Sequence, residues 1–262
     1  MRRAALLLCC GVSLTAGARA AELQPQTVRA FDDYVRNAEA RMQHRFQPGG
    51  PFLWTDDDPQ RVAAVRAGRV VVESLGGRDA VPVPGGLIHD WIGAVFIPGV
   101  TLRETLALVQ DYDHNHEHYQ PEVMASRLLS RNGNDFQIRL RLMKKKLITA
   151  ILDTDYDVRY FPMDGGRCHS RAYSTRIAEV ENAGKPDERF LPPGNDHGFL
   201  WRLYSYWRFE ERDHGVYVEC DAISLTRAIP AGLGWLIEPI IRSLPRESLA
   251  NTLRETRAAL AK

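Results

Sequence analysis

Over residues 122–227 the chain reads as six strand-like runs in succession, and a single long amphipathic stretch, residues 233–261, follows them. This order limits the fold more than any other feature. The runs cover 122–131, 135–143, 147–161, 168–181, 199–211 and 216–227, and they are rich in β-branched and aromatic residues. Asn132-Gly133-Asn134, Asp164-Gly165-Gly166 and Asp213-His214-Gly215 are turn signals between them. Such short connections make successive strands antiparallel neighbours. One more strand, residues 87–97, comes earlier and is closed by Pro98-Gly99. After it Thr101 caps a short helix carrying Leu102, Leu106 and Val109, and 111–119 is a helical or looped piece ended by Pro121. A sheet of about seven strands cannot bury its apolar face alone, so it must wrap around something. The closing stretch is the one segment long enough. Trp235, Leu236, Ile240, Ile241 and Leu244 form its apolar stripe, Leu249, Leu253 and Leu260 extend it, and Pro239 and Pro245 should kink or break it. The fold class is therefore α+β: a curved antiparallel sheet wrapped around a long C-terminal helix.

The N-terminal part reads differently. Met1-Arg2-Arg3 is basic, Ala4 to Leu14 is apolar, and Ala18-Arg19-Ala20 offers a small-residue cleavage site. That order is the pattern of a secretory leader over residues 1–20, which places the mature chain in the periplasm or outside the cell. Residues 21–85 form an N-terminal helical extension. In it Val28, Phe31, Val35, Ala38 and Met42 share one helical face, and Pro48-Gly49-Gly50-Pro51 stops that helix. Asp58 and Pro59 open a second helix, and 70–75 is a short strand. A main domain then runs over 86–262. Cys9 and Cys10 leave with the leader. Cys168 and Cys220 fall on strands separated by a third, too far apart to be bridged, and are expected to be free thiols.

The formal net charge is +1, and removal of Arg2, Arg3 and Arg19 leaves the mature chain slightly acidic. No basic stripe interleaved with aromatics is present, which argues against a nucleic-acid partner. The most informative strand is 199–211. Phe199, Trp201, Leu203, Ser205, Trp207 and Phe209 alternate with Arg202, Tyr204, Tyr206, Arg208 and Glu210. The first row should face the closing helix and the second the solvent. If Arg212 pairs with Gly215 across a two-residue turn, Trp207 lies opposite Cys220, Phe209 opposite Val218, Arg208 opposite Glu219 and Tyr206 opposite Asp221. Large inward residues then face small ones, which leaves room. On the neighbouring runs Arg139 and Arg141 should meet Asp153 and Asp155 in an outer charge ladder.

The stretch Asp111-Tyr112-Asp113, Tyr119-Gln120-Pro121-Glu122-Val123 and Ser126-Arg127-Leu128-Leu129 is similar to the helix-to-second-strand region of the START-like helix-grip ligand-binding superfamily. Gly232-Leu233-Gly234-Trp235-Leu236, Pro239-Ile240-Ile241 and Leu244-Pro245-Arg246 resemble that family's closing helix. The resemblance spans 86–262. It includes lipid-transfer, pollen-allergen and polyketide-cyclase-like folds, a shared scaffold rather than a shared chemistry. It implies a cavity between sheet and helix that holds a hydrophobic, lipid-like or polycyclic small molecule. Phe136, Ile138, Leu140 and Tyr156 are the candidate wall on the middle strands. Trp201, Leu203, Ser205, Trp207 and Phe209 are the candidates on the later strand, with Leu236 and Ile240 on the helix. Ser224 and Tyr173 could add polar groups. A carrier of this kind can make transient contact with a membrane. The alternative is a cyclase- or aromatase-like enzyme using the same pocket.

Other chemistries are weaker. His114, His116 and His118 lie among Asp111, Asp113 and Glu117, but three ligands would have to converge at about 2.0–2.2 Å to hold a metal, and the segment reads as an exposed turn. His89-Asp90 on one strand face opposite sides. Gly76-Gly77 and Gly85-Gly86 lack the strand–turn–helix setting of a phosphate loop, and no GxSxG elbow occurs, so no cofactor is expected. The inward rows offer Ser, Tyr and His169 but no matched acid and base, which favours binding over catalysis.

Overall fold

The computed structural model describes residues 23–47, 49–75, 77–145, 149–191, 195–228 and 234–261, with backbone alone over 234–242. The expected leader lies outside these residues. Helix α1 (Pro25–Arg45) and helix α2 (Pro59–Arg66) come first. Strands β1 (Val71–Ser74), β2 (Val81–Val83) and β3 (Gly86–Pro98) follow, then α3 (Leu102–Val109) and α4 (Asn115–His118). The long strands are β4 (Val123–Asn132), β5 (Asp135–Lys145), β6 (Thr149–Pro162) and β7 (Arg167–Glu181). The short β8 (Arg189–Phe190) precedes β9 (Arg202–Arg212), β10 (Gly215–Arg227) and the closing helix α5 (Gly234–Leu260).

The strands form one antiparallel sheet in the order β1-β3-β10-β9-β7-β6-β5-β4, with β2 added to β3 and β8 to β7. Hairpins make sequence neighbours spatial neighbours, as the turn signals require. The exception is β3, which docks on β10, the last strand of the chain. Asp213 and His214 both take positive φ (57° and 59°), so β9 and β10 are joined by a two-residue turn that fixes Arg212 opposite Gly215. The pairs Trp207–Cys220, Phe209–Val218, Arg208–Glu219 and Tyr206–Asp221 all form as the alternation predicts. Register shifts in β4 and at Asp155/Tyr156 of β6 are bulges that bend the sheet. Arg139 and Arg141 meet Asp155 and Asp153 at 2.7 and 3.2 Å.

Helix α5 lies across the concave, inner face and is anchored at one side. Leu249 and Leu253 press on β3 at Gly93, where a Cβ would sit 2.6 Å from Leu253 Cδ1. Only glycine permits that approach. The helix continues through both Pro239 and Pro245 without a break. Among the described residues no helix is long and apolar enough to cross a membrane.

The outer face departs from expectation. The Arg/Tyr row of β9 does not meet solvent, because the N-terminal extension covers it. Phe31 and Val35 of α1 pack with Ile88, Ile223, Leu225 and Tyr206. Phe52, Leu53 and Trp54 pack with Ile92, Ala94, Phe96 and Tyr217. Arg208 is 2 % exposed and Glu219 is fully buried. Alternation separates the two faces of a strand but carries no information on what comes to lie over each.

Candidate ligand-binding cavity

On the inner face the pairing sets large side chains against small ones. Trp207 of β9 stands between Cys220 of β10 and Ser170 of β7. Ser205 stands between Ala222 and Ala172. Helix α5, held off the sheet by its anchorage on β3, does not fill the hollow above these short residues. A cavity of about 800 Å³ results, walled mainly by apolar side chains. Small-molecule pockets fall in this range, roughly 300–1,000 Å³.

The two ends of the cavity differ. At one end the rings of Tyr112 and Tyr160 each meet Phe136 edge-on, with centroids 5.4 and 5.5 Å away. The two tyrosine hydroxyls share a hydrogen bond of 2.8 Å. Burial pushes both phenols well above their ordinary range. Tyr156, on the floor, is pushed up to about 12 by burial. All three stay protonated at neutral pH and can act only as hydroxyls. At the opposite end the strand termini meet the start of the described α5 side chains. Here Lys144 Nζ donates to Glu122 at 2.5 Å, Asn251 Nδ2 donates to Glu122 at 2.8 Å, and Ser248 hydrogen-bonds to both Lys144 and Glu122. Burial opposes ionisation of Glu122, but the Lys144 charge and these hydrogen bonds outweigh it and hold its carboxyl below the usual range. The same rim includes His197 and Phe199. Their loop is tied down by Glu179, which accepts from the backbone N–H of His197 and of Phe199, each at 2.9 Å.

Of the residues singled out in the sequence, Ile138, Leu140, Tyr156, Leu203, Ser205, Trp207 and Phe209 line the cavity, as does Ser224. Phe136 does not reach it; it backs the tyrosine end from behind. Trp201 is a correction. The strand begins one residue later, the Trp201 N–H bonds to Leu225 O, and its ring joins the outer cluster with Phe31 and Ile223. Alternation fails there because residue 201 lies in a bend just before β9 begins at Arg202. Tyr173 is likewise on the outer face, opposite Tyr204, and hydrogen-bonds to Glu39. His169 is outer as well, paired with Arg208 and stacked between Phe46 and Phe161 at 4.1 and 4.7 Å. Burial and the nearby cations Arg208 and Arg171 push its imidazole down to about 4. Leu236 and Ile240 belong to the stretch whose side chains are outside the described residues.

Sequence reasoning missed the wall formed by Val109, Tyr112, Asn115 and Tyr119. The charged character of 111–119 made that segment read as a solvated turn. Two tyrosines seven residues apart within it, Tyr112 and Tyr119, were the available signal. His114 pairs with Asp111 at 2.8 Å on the surface, and His116 Nδ1 sits 3.0 Å from Ser126 Oγ. Cys168 and Cys220 are free and buried, with β9 between their strands. Burial pushes the Cys168 thiol up to about 11 and the Cys220 thiol well above its ordinary value, so neither is a poised nucleophile.

No family model and no curated protein matches the chain. Several solved structures are similar to it. A STAR-related lipid transfer protein from Xanthomonas axonopodis is 17 % identical, with a TM-score of 0.47, over 70 % of this chain and 98 % of that one. A protein from Thermus thermophilus is 14 % identical, with a TM-score of 0.47, over 64 % and 94 %. The Zhui aromatase/cyclase from Streptomyces sp. R1128 is 10 % identical, with a TM-score of 0.45, over 66 % and 93 %.

Proposed function

We propose that this chain binds a hydrophobic small molecule, lipid-like or polycyclic, between the inner face of its sheet and α5, and carries it outside the cytoplasm. The observation that supports this most is the cavity itself. A solid core of the same residues would bring Trp207 or Phe209 across the space that Ala172, Ala222 and Ser205 leave open; instead about 800 Å³ remains. Apolar surface buried there stabilises a guest by about 25 cal/mol per Å², so a charged anchor is not required.

Carriage is favoured over catalysis by the character of the lining. Its tyrosines are held protonated, its thiol is suppressed, and Glu122 and Lys144 are spent on each other. Glu219, Asp221 and His169, three of the groups that could have supplied acid–base chemistry, lie on the far side of the sheet, and His197, at the rim, is held by Glu179 at 2.8 Å. The leader-like pattern of residues 1–20 supports work in the periplasm or beyond. The test is native mass spectrometry of full-length chain expressed in a Gram-negative host and recovered by mild release of the periplasm. A mature mass beginning after Ala20 with a discrete adduct that organic extraction removes is expected. A chain kept in the cytoplasm, or one that takes up no apolar compound from a fluorescent panel after extraction, would overturn the reading.

A further inference from the structure

Space alone does not explain the small residues on the cavity floor. Ala172 of β7 and Ala222 of β10 provide it with no polar group, yet the next inward positions on those strands carry Ser170 and Ser224. Ser205 of β9 lies between the two alanines, Ser170 lies opposite Trp207, and Ser224 lies opposite Leu203. Each serine is therefore displaced by two residues from the one on the adjacent strand, and in the same direction. Such diagonal neighbours stand roughly 7–8 Å apart, so the three form a straight line about 15 Å long. Ser170 also faces Tyr160 on β6, which carries the line to the hydroxyl pair at the tyrosine end. None of the three serine hydroxyls has a hydrogen-bond partner among the described residues. Ser170 is 3 % exposed and Ser224 6 %, yet the oxygen of neither is among the fully covered ones, so the surface they keep opens on the cavity. A hydroxyl placed there gains a hydrogen bond only from what fills the hollow.

We propose that the guest is a rigid polycyclic molecule oxygenated at two or more places along one edge, with its hydroxyl or carbonyl groups bonded to Ser170, Ser205 and Ser224 as it lies across β7, β9 and β10. This rests on the cavity reading above and selects the polycyclic class within it. A single-headed acyl chain brings one polar group and meets one serine at most. A hydrocarbon meets none. A serine hydroxyl both donates and accepts, so the line suits alcohols and ketones alike. Each bond gained multiplies affinity several-fold, and a fused-ring skeleton, already ordered, keeps more of that gain than a flexible chain does.

The experiment follows displacement of Nile red from the extracted chain by 5α-androstane-3β,17β-diol, by 5α-androstane and by hexadecan-1-ol. Wild type is compared with the triple variant Ser170→Ala, Ser205→Ala, Ser224→Ala. The variant should bind the diol at least about tenfold more weakly, a change of roughly 1.4 kcal/mol, while the hydrocarbon and hexadecan-1-ol weaken less than about threefold. A loss for either of those two that matches the diol's would overturn the inference. So would a diol whose affinity is unchanged, or a wild type that takes up the other two probes and not the diol. Each of these results leaves the cavity reading standing. Failure of all three probes to displace the dye from wild type would sink both. Ser205→Ala, at the centre of the line, decides the matter even if the triple variant does not fold. The diol should weaken at least about threefold and the hydrocarbon by less than about 1.5-fold, and equal changes would overturn the proposal.

Discussion

The inner and outer faces of this sheet come from the same strands, yet one encloses a hollow and the other a dense layer of buried charge. On the inner side of β9 and β10, Trp207, Ser205 and Leu203 face Cys220, Ala222 and Ser224, and space remains. On the outer side Arg208, Glu219, Tyr206 and Asp221 are buried beneath the N-terminal extension. Glu219 accepts from the N–H groups of Trp54 and Thr55 at 2.9 and 2.8 Å, from Thr55 Oγ1 at 3.0 Å and from Arg208 Nε at 3.0 Å. Tyr34 of α1 donates to Asp90 at 2.8 Å. The buried ion pairing and dense packing lie on the outer side, while the inner side stays open.

The largest expected effect tests that division. Glu219→Ala leaves the Arg208 guanidinium buried without its counter-charge and orphans two backbone donors. It should cost about 3–5 kcal/mol in urea unfolding. Ser224→Ala, on the cavity wall, should cost less than about 1 kcal/mol, because no hydrogen bond among the described residues depends on it. Similar losses for the two would mean that the faces are not energetically distinct.

The sequence made half of this division legible. Alternation along 203–209 and the Asp213-His214 turn were enough to set the register, and with it the inward row that lines the cavity. They could not show that the extension folds back over Arg208, because that contact joins residues more than 150 positions apart: Trp54 and Thr55 reach Glu219. A charged row on a strand looks the same whether solvent or another segment covers it. Asn115 and the tyrosine wall escaped for a related reason. A short polar segment reads as surface unless its far side is known to close a cavity.

A matched substitution sharpens the comparison at intermediate size. Ala94, 1 % exposed, lies opposite Glu219 within the packed outer cluster. Ala222, opposite Ser205, opens on the cavity. Ala94→Leu should cost about 1–3 kcal/mol by overpacking. Ala222→Leu has room to enter, so stability should stay within about 1 kcal/mol while affinity for an apolar fluorophore falls at least tenfold, a cost of about 1.4 kcal/mol or more to binding. Equal destabilisation at the two sites would show the cavity collapsing onto its own walls in solution.

The smallest effect concerns the outer carboxyls. Asp221 is fully buried beside Asp90, and burial first, then the Asp90 charge, hold its carboxyl well above the usual range, against the opposing pull of Arg208 and Arg41. Arg41 approaches Asp90 from α1 at 3.7 Å, and Tyr34 and Tyr206 face the pair from α1 and β9. A folded-state value raised above the unfolded one near 3.9 means that the neutral form stabilises the fold fully at low pH. That contribution is lost as pH rises toward the folded value. Asp221→Asn removes the titration and keeps a donor for Asp90. Its stability relative to wild type should therefore grow with pH, by about 1 kcal/mol between pH 4 and pH 8 in urea titrations. The inner-face tyrosines add no such trend, because they hold their protons throughout that interval, and Glu122, held below its usual range, adds one of opposite sign only at the acid end. A gap that stays constant with pH would show that the Asp90–Asp221 pair does not titrate in that interval.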